Sequence, residues 1–508
     1  MISRRSLLKG ISSAGAVLSI TPSTNMGRIR WSPPSNAIDH SGGRYSWSVE
    51  VDEYDVLVDW VDSKDDRDLL TSHEETGRAR LVATPEDVGV TTLSRFLNDG
   101  LAVETWINRI EIDRTVSIPD PIAPQSKTAG WSGISRNEQL SLLLSTGSRS
   151  SLPTDGIAFE DEMAETTIGE VREITGATSD LPSTDELLVA VIDTGINDGE
   201  IFAGDSEETR ISDDSKEFIS EDEETGIDAI IDGNLHGTWC ASAIASSSSD
   251  PEFQGMLQDA TLLGLRALND NGEGRITSIE QAILYASDQG ADIINLSLGS
   301  PLWSEAIHAA LEYAVEEGSI PIAAVGNDRQ VTRWIGHPAS SDSVIAVSAV
   351  TAEDPDTAQS AYFSNVGPHP GTTDASDGAS AGSDVDIAAP GTEVGVSTPR
   401  DGRSTSTETM TGTSMASPVV AGIVGLLVAD GAVDDLEDAR DHISQTAAPI
   451  PSAATAEVGA GMIDARAALD DKEPDEDQSG AMKDAAQQRD STYQALSEAQ
   501  GRSLFRLM

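Results

Sequence analysis

Three side chains, far apart in the chain, could together carry out acyl transfer. Asp193 closes the apolar run 187–193 and is followed by a Thr-Gly turn. A carboxylate at the end of a buried strand is placed to orient a group above a sheet. His236 follows 43 residues later, in His236-Gly237-Thr238. Ser414 lies in GTSMASP (412–418), just before a small-residue helix expected over 416–429. A serine at a helix start meets unpaired backbone N–H groups and the positive dipole end, which suit a developing oxyanion. Taken singly these signals are weak: a strand-end Asp is often a cap, a lone His is often structural, and GTS often only starts a helix. Together, the order Asp…His…Ser with these flanks is a strong signal.

The surrounding elements must bring the three together. From about 180 to 470, apolar strand-like runs at 187–193, 261–268, 291–299, 320–327 and 344–350 alternate with helical periodicity at 278–289 and 305–317. Gly290 and Gly318 stand at the expected helix stops. Continuous apolar runs fit strands covered by helices on both faces. The pattern predicts an α/β fold with a doubly wound, mostly parallel sheet and its site at the carboxyl ends of the strands.

Ahead of this region, residues 45–118 read as a small α+β unit, with strands over 54–61, 79–83 and within 103–118 and a helix over 91–97. Residues 145–155 read as an exposed Ser/Gly/Pro linker. Ser3-Arg4-Arg5-Ser6-Leu7-Leu8-Lys9 and the short apolar stretch after it resemble a twin-arginine export signal. The stretch is shorter than the roughly 20 residues that span a bilayer, and no later segment reads as transmembrane. The expected organisation is a signal over 1–25, the small unit and linker over 45–150, the main domain over 155–470, and an acidic linker and tail over 471–508.

The 508 residues carry 32 basic and 86 acidic side chains, a formal net charge of −54. Such a balance argues against nucleic acid as a partner, because phosphate recognition needs Lys and Arg. Only 6 of the basic residues are Lys, a composition like that of proteins from salt-loving archaea. A carboxylate-covered surface stays hydrated in concentrated salt, which also screens its self-repulsion. A single cysteine, Cys240, excludes an intrachain disulfide.

The sequence resembles the subtilisin-like serine peptidases, and among them the secreted haloarchaeal halolysins. The resemblance rests on VIDTGI (191–196), HGT (236–238), INLSLGS (294–300), AAVGN (323–327), IAAPG (387–391) and GTSMASPVVAG (412–422). Subtilisin is itself the reference case for this order of triad residues, so the order identifies a family rather than deriving one. The resemblance implies an exported serine endopeptidase with Ser414 as nucleophile, His236 as base and Asp193 as its orienter. It implies that Asn327 donates its amide to the oxyanion. Ser297, Leu298 and Gly299 would pair with extended substrate, Ala324, Val325 and Gly326 would form the opposite pocket wall, and Gly336 would lie near the floor. The His337–Pro338 bond would be cis.

The same resemblance makes the N-terminal unit a propeptide that blocks the cleft until it is cut near 150–160. Substrates would be proteins or peptides. No cofactor is expected for catalysis. Family members often bind structural calcium, for which acidic stretches supply oxygen ligands, but 205–224 reads equally as a solvated loop and no ligands are assigned. A zinc reading fails for want of HExxH or a ligand cluster. The chain departs from the family at Leu235 (usually Gly), Trp239 (usually His) and Ser242 (usually Gly). These departures keep a second reading open, a weakly active or inactive relative that binds peptides. Packing is the default role of Trp239, and a buried, inert thiol that of Cys240.

Overall fold

In a computed structural model of the chain, the described residues are 44–118 and 155–507, apart from short internal gaps and the segments 89–106, 368–383, 400–404 and 473–481. The export-signal region 1–25, the expected helix over 91–97 and most of the linker lie outside the described residues. The chain divides into two compact units.

The first unit comprises residues up to 116 together with 274–284 and 304–310. Its four-stranded antiparallel sheet is built from β1 (Tyr45–Val51), β2 (Asp68–His73), β3 (Arg78–Ala83) and β4 (Ile107–Ile112), in the order β2–β3–β1–β4. Trp47, Val49, Leu81, Ile110 and Ile112 form its core with Leu57. Residues 54–61, expected as a strand, instead form helix α1 (Tyr54–Asp62). Their three valines favour a strand locally, but the two buried residues, Leu57 and Val61, are four apart and face the sheet as one helical stripe. Two acidic side chains end the unit. Asp113 accepts from the Thr277 N–H at 3.2 Å and hydroxyl at 2.8 Å. Glu111 accepts from the Ser304 hydroxyl at 3.1 Å and the Ala306 N–H at 3.2 Å. Both satisfy donors that a helix start leaves over.

The second unit holds the expected parallel sheet. Its core strands are β5 (Leu188–Asp193), β6 (Thr261–Arg266), β7 (Ile293–Leu296), β8 (Ile320–Ala324), β9 (Ile345–Val350) and β10 (Ile387–Pro390). They run in the order β6–β5–β7–β8–β9–β10, parallel throughout. From β5 the chain passes first to β6 on one side and then to β7 on the other, so the strand order reverses at β5, where an open sheet offers a crevice at its carboxyl ends. Helix α2 (His236–Ala245) packs against α3 (Thr413–Asp430), which is buried along most of its length and contacts β7, β8, β9 and β10. The helix begins three residues earlier than expected, so Ser414 lies inside its first turn. It is the only helix among the described residues long and apolar enough to cross a membrane, and it is a core helix here. A last helix, α4 (Asp484–Leu507), belongs to the same unit.

Candidate active site

Asp193 is the final residue of β5 and fully buried. Its Oδ1 accepts the Thr194 N–H at 2.7 Å, which fixes the carboxylate. His236 is the first residue of α2. Its Nδ1 lies 2.8 and 3.0 Å from the two Asp193 oxygens. The strand end and helix start approach this closely because of Gly237, where a β-carbon would fall 2.3 Å from the Gly195 carbonyl oxygen.

Helix α2 starts abruptly. Leu235, just before His236, has φ +77° and ψ −4°. A β-carbon in that left-handed region costs about 1–2 kcal/mol, which is a physical reason for a glycine there. Asp232 holds the turn. Its Oδ1 accepts the N–H groups of Asn234 and Leu235, both at 2.9 Å. Its Oδ2 accepts the Thr238 N–H at 2.9 Å and hydroxyl at 2.7 Å. This carboxylate does the work of an N-cap. The sequence reading passed over it, although an Asp four residues before His236 was a visible capping signal.

Burial drives the His236 imidazole toward neutrality, but Asp193 and then Asp232 outweigh it, and the ring is held above the ordinary histidine value. Nε2 is buried and has no hydrogen-bond partner among the described residues. One ring nitrogen is therefore committed and the other available to a proton.

Ser414 is the second residue of α3 and 2% exposed. Its hydroxyl donates to the Ser297 carbonyl oxygen at 3.1 Å. Its own carbonyl has no helical donor, because the residue four positions on is Pro418. That carbonyl accepts instead from the Ser297 hydroxyl at 3.1 Å and the Cys240 thiol at 3.6 Å. Ser297 also accepts from Asn295 Nδ2 at 3.1 Å, and Asn295 Oδ1 accepts from the Ser417 hydroxyl at 2.9 Å. The donor atoms of Asp193, His236 and Cys240 all lie within 4.8 Å of one another. Cys240 thus touches both halves of the site, with the imidazole on one side and the Ser414 backbone on the other. Burial pushes its thiol well above the ordinary value, so it stays protonated and unreactive.

Asn327 accepts at Oδ1 from the Thr413 N–H and hydroxyl, both at 2.9 Å. This pairing assigns the amide's orientation. A β-carbon on Gly412 would fall 3.0 Å from Asn327 Nδ2, so the amide nitrogen stands against the start of α3. Thr413, another residue the sequence reading left out, also accepts the Gly326 N–H at 3.2 Å.

The expected pocket residues are brought together. Leu298, Ala324 and Val325 are buried. The Gly336 N–H donates to the Val325 oxygen at 2.9 Å, and Ser300 and His337 exchange two backbone bonds of 2.8 Å. Gly336 and His337 therefore tie the 297–300 segment to the 324–326 segment. The His337–Pro338 bond is cis. The outer edge at Gly299 is occupied by the chain itself: Ser117 pairs antiparallel with Gly299, whose N–H reaches the Ser117 oxygen at 3.2 Å. The Ile118 N–H donates to the Gly272 oxygen at 2.8 Å.

Two departures are packing features. Trp239 is fully buried and its indole N–H donates to the Glu408 oxygen at 2.9 Å. The Ser242 hydroxyl donates back to the Thr238 oxygen at 2.8 Å. A buried imidazole with one nitrogen fixed by a carboxylate and the other unpartnered among the described residues can move a proton, and an amide nitrogen at a helix start can steady an anion.

Residues 184–501 match the profile of the Subtilase family, peptidase S8. The thermophilic serine proteinase of Bacillus sp. (strain AK1) is 36% identical over 274 residues, 53% of this chain and 58% of its own length. Halolysin of Haloferax mediterranei is 35% identical over 258 residues, 50% of this chain and 44% of its own. The chain thus spans about half the length of these relatives. Fervidolysin from Fervidobacterium pennivorans superposes with a TM-score of 0.61 at 20% identity, covering 86% of this chain and 64% of that one. With the profile covering more than half of its residues and the parallel sheet in place, the chain belongs to the subtilase family.

Proposed function

We propose that the protein is an exported, salt-adapted serine endopeptidase that cleaves peptide bonds through Asp193, His236 and Ser414. The observation that carries this reading is the buried Asp193–His236 pair, with Nε2 open, on a helix that packs against α3 and whose Cys240 thiol donates to the Ser414 carbonyl. In the proposed cycle the Ser414 hydroxyl leaves the Ser297 oxygen and gives its proton to His236 Nε2 as Oγ attacks the substrate carbonyl carbon. The carbonyl oxygen becomes an oxyanion facing Asn327 Nδ2 and the Ser414 N–H. His236 returns the proton to the leaving amine as the C–N bond breaks, giving an acyl-enzyme and a new peptide N-terminus. Water, deprotonated by His236, then attacks the ester carbonyl carbon; the C–Oγ bond breaks, His236 returns the proton to Ser414 Oγ, and the acid is released. Asp193 keeps the imidazole in register throughout.

Substrate would add a strand to the edge at Gly299, the mode in which Ser117 already pairs there. In this reading residues 45–118 are a propeptide, supported by their position ahead of the peptidase domain. Secretion is supported by one relative's name, the halolysin-like extracellular serine protease Nep of Natrialba magadii. The twin-arginine route rests on Arg4-Arg5, and salt adaptation on the net charge of −54. Calcium, if bound, has a structural role only in this reading. The stretch 205–224 falls partly outside the described residues, and no ligands are assigned.

The test is hydrolysis of casein by the wild type and by Ser414→Ala, in molar salt and in dilute buffer, with mass analysis of the N-terminus. The expected result is activity in the wild type alone, greatest in salt, with a new N-terminus near 150–160 and the variant left uncut. The expected loss is about 10⁶-fold in kcat, a magnitude known from this family. A folded, trimmed wild type that neither cleaves casein nor is labelled at Ser414 by an organophosphonate would establish the peptide-binding relative instead.

A further inference from the structure

The C-terminal helix α4 presents an unusual buried face. Ala486, Arg489 and Tyr493 are each 1% exposed or less, and they stand three and four residues apart, on one side of the helix. An arginine this deep needs full pairing, and Arg489 has it. Its Nε and Nη2 reach the two Glu457 oxygens at 2.8 and 3.0 Å, a bidentate pair. Nη2 also donates to the Ser452 oxygen at 2.8 Å, and Nη1 to the Asp155 oxygen at 2.6 Å. Asp490, beside it, accepts the Ala456 N–H at 3.0 Å.

Glu457 is shared. Its Oε1 also accepts from Arg329, which is 1% exposed, and from the Tyr493 hydroxyl. The Arg329 guanidinium donates to the Tyr493 hydroxyl and lies 5.5 Å from the centre of that ring. On its other side it donates to the Ser360 hydroxyl at 3.0 Å and the Ala361 oxygen at 3.3 Å. Burial works against the Glu457 charge, but Arg329 and Arg489 prevail and hold the carboxyl below its ordinary value. The cluster is therefore ionic at neutral pH.

Arg329 is two residues after Asn327. The same short segment continues to Trp334, which packs in one apolar cluster with Tyr493, Val366, Ala454 and Ala456, and to Gly336 on the pocket floor. We infer that α4 is a working part of the active site: Tyr493 positions Arg329, and through it the segment that aims the Asn327 amide at the reacting carbonyl oxygen. Tyr493 and Arg329 are positioning residues, since neither touches the reacting atoms. The inference rests on the endopeptidase reading and adds to it a role for the tail.

The experiment uses the self-processed protein with its C-terminal helix intact, and peptide hydrolysis. Tyr493→Phe keeps the ring and the helix and removes the hydroxyl. The expected result is a kcat lower by about five- to tenfold with KM unchanged, a fraction of the roughly 10²–10³ that an oxyanion donor supplies. In the Asn327→Ala background the same change should have no further effect, because its target is gone. Ser360→Ala loosens Arg329 from the side away from the helix and should give a smaller loss of the same kind. It serves as the second handle if Tyr493→Phe lowers the melting temperature too far to assay. An unchanged kcat in both variants, or an equal loss with and without Asn327, overturns the inference and leaves α4 a stability element. A wild type that resists organophosphonate labelling would overturn the endopeptidase reading itself, a separate outcome.

Discussion

The starts of α2 and α3 each hold one residue of the proposed triad, and they do so by different means. Before His236 the chain forces Leu235 into the left-handed region and holds it there with four donors on one buried carboxylate, Asp232. Before Ser414 the backbone at Gly412 is extended, and what matters is absent bulk, since a β-carbon would crowd Asn327. One start is gripped and the other is cleared. A gripped start stores strain against a polar clamp, so its failure should appear as lost stability and a shifted pKa. A cleared start stores nothing, so its failure should appear as misplaced chemistry in a well-folded protein.

The largest effect should come from the cleared start. Gly412→Ala is expected to lower kcat by about ten- to a hundredfold with little change in melting temperature, because a displacement of well under 1 Å at the oxyanion donor is costly. Steady-state kinetics beside a thermal melt decide it; a large drop in stability would mean that α3 is clamped as well. At the gripped start, Asp232→Asn removes one charge and part of the cap. Stability should fall by about 1–2 kcal/mol.

The same variant should move the acid limb of kcat/KM to lower pH. The proposed mechanism needs neutral His236, whose pKa is held above its ordinary value of 6.5 by Asp193 and Asp232. Activity is therefore lost as pH falls through that raised value, and removing Asp232's charge lowers the point of loss. A pH–rate profile identical to the wild type's would show that Asp232 is a cap alone. The smallest effect belongs to Leu235→Gly. Relief of about 1–2 kcal/mol of backbone strain is largely offset by the greater freedom of glycine in the unfolded chain. A gain of at most about 1 kcal/mol is expected by denaturant unfolding, and a clear loss would mean that the leucine side chain contributes packing that outweighs the strain.

Much of this site was legible because its information is local. The runs that became β5 to β9 are dominated by apolar residues, with Asn295 and Ser348 as interior polar exceptions, as expected of strands buried on both faces. The motifs around Asp193, His236 and Ser414 carry their own turns and caps. Where the sequence misled, at 54–61, a short Val-rich stretch has two readings, and only packing of Leu57 and Val61 against a sheet chooses the helix. The Arg329–Glu457–Arg489–Tyr493 cluster had no local trace. Its members are separated by up to 164 residues, and each alone reads as a surface polar residue in an acidic protein. Asp232 and Thr413 were within reach, since Thr413 sits in a motif and Asp232 four residues before His236, but their importance depends on which N–H they face.

Pro418 has one more consequence. With no N–H to return to the Ser414 carbonyl, the opening turn of α3 lacks one rung of the helix's own ladder. That carbonyl is taken up instead by Ser297 from the end of a strand and by Cys240 from another helix. The anchoring of the turn therefore depends on assembly as well as on local winding, and in the proposed mechanism Ser414 gains its fixed place only once the strand and both helices have come together.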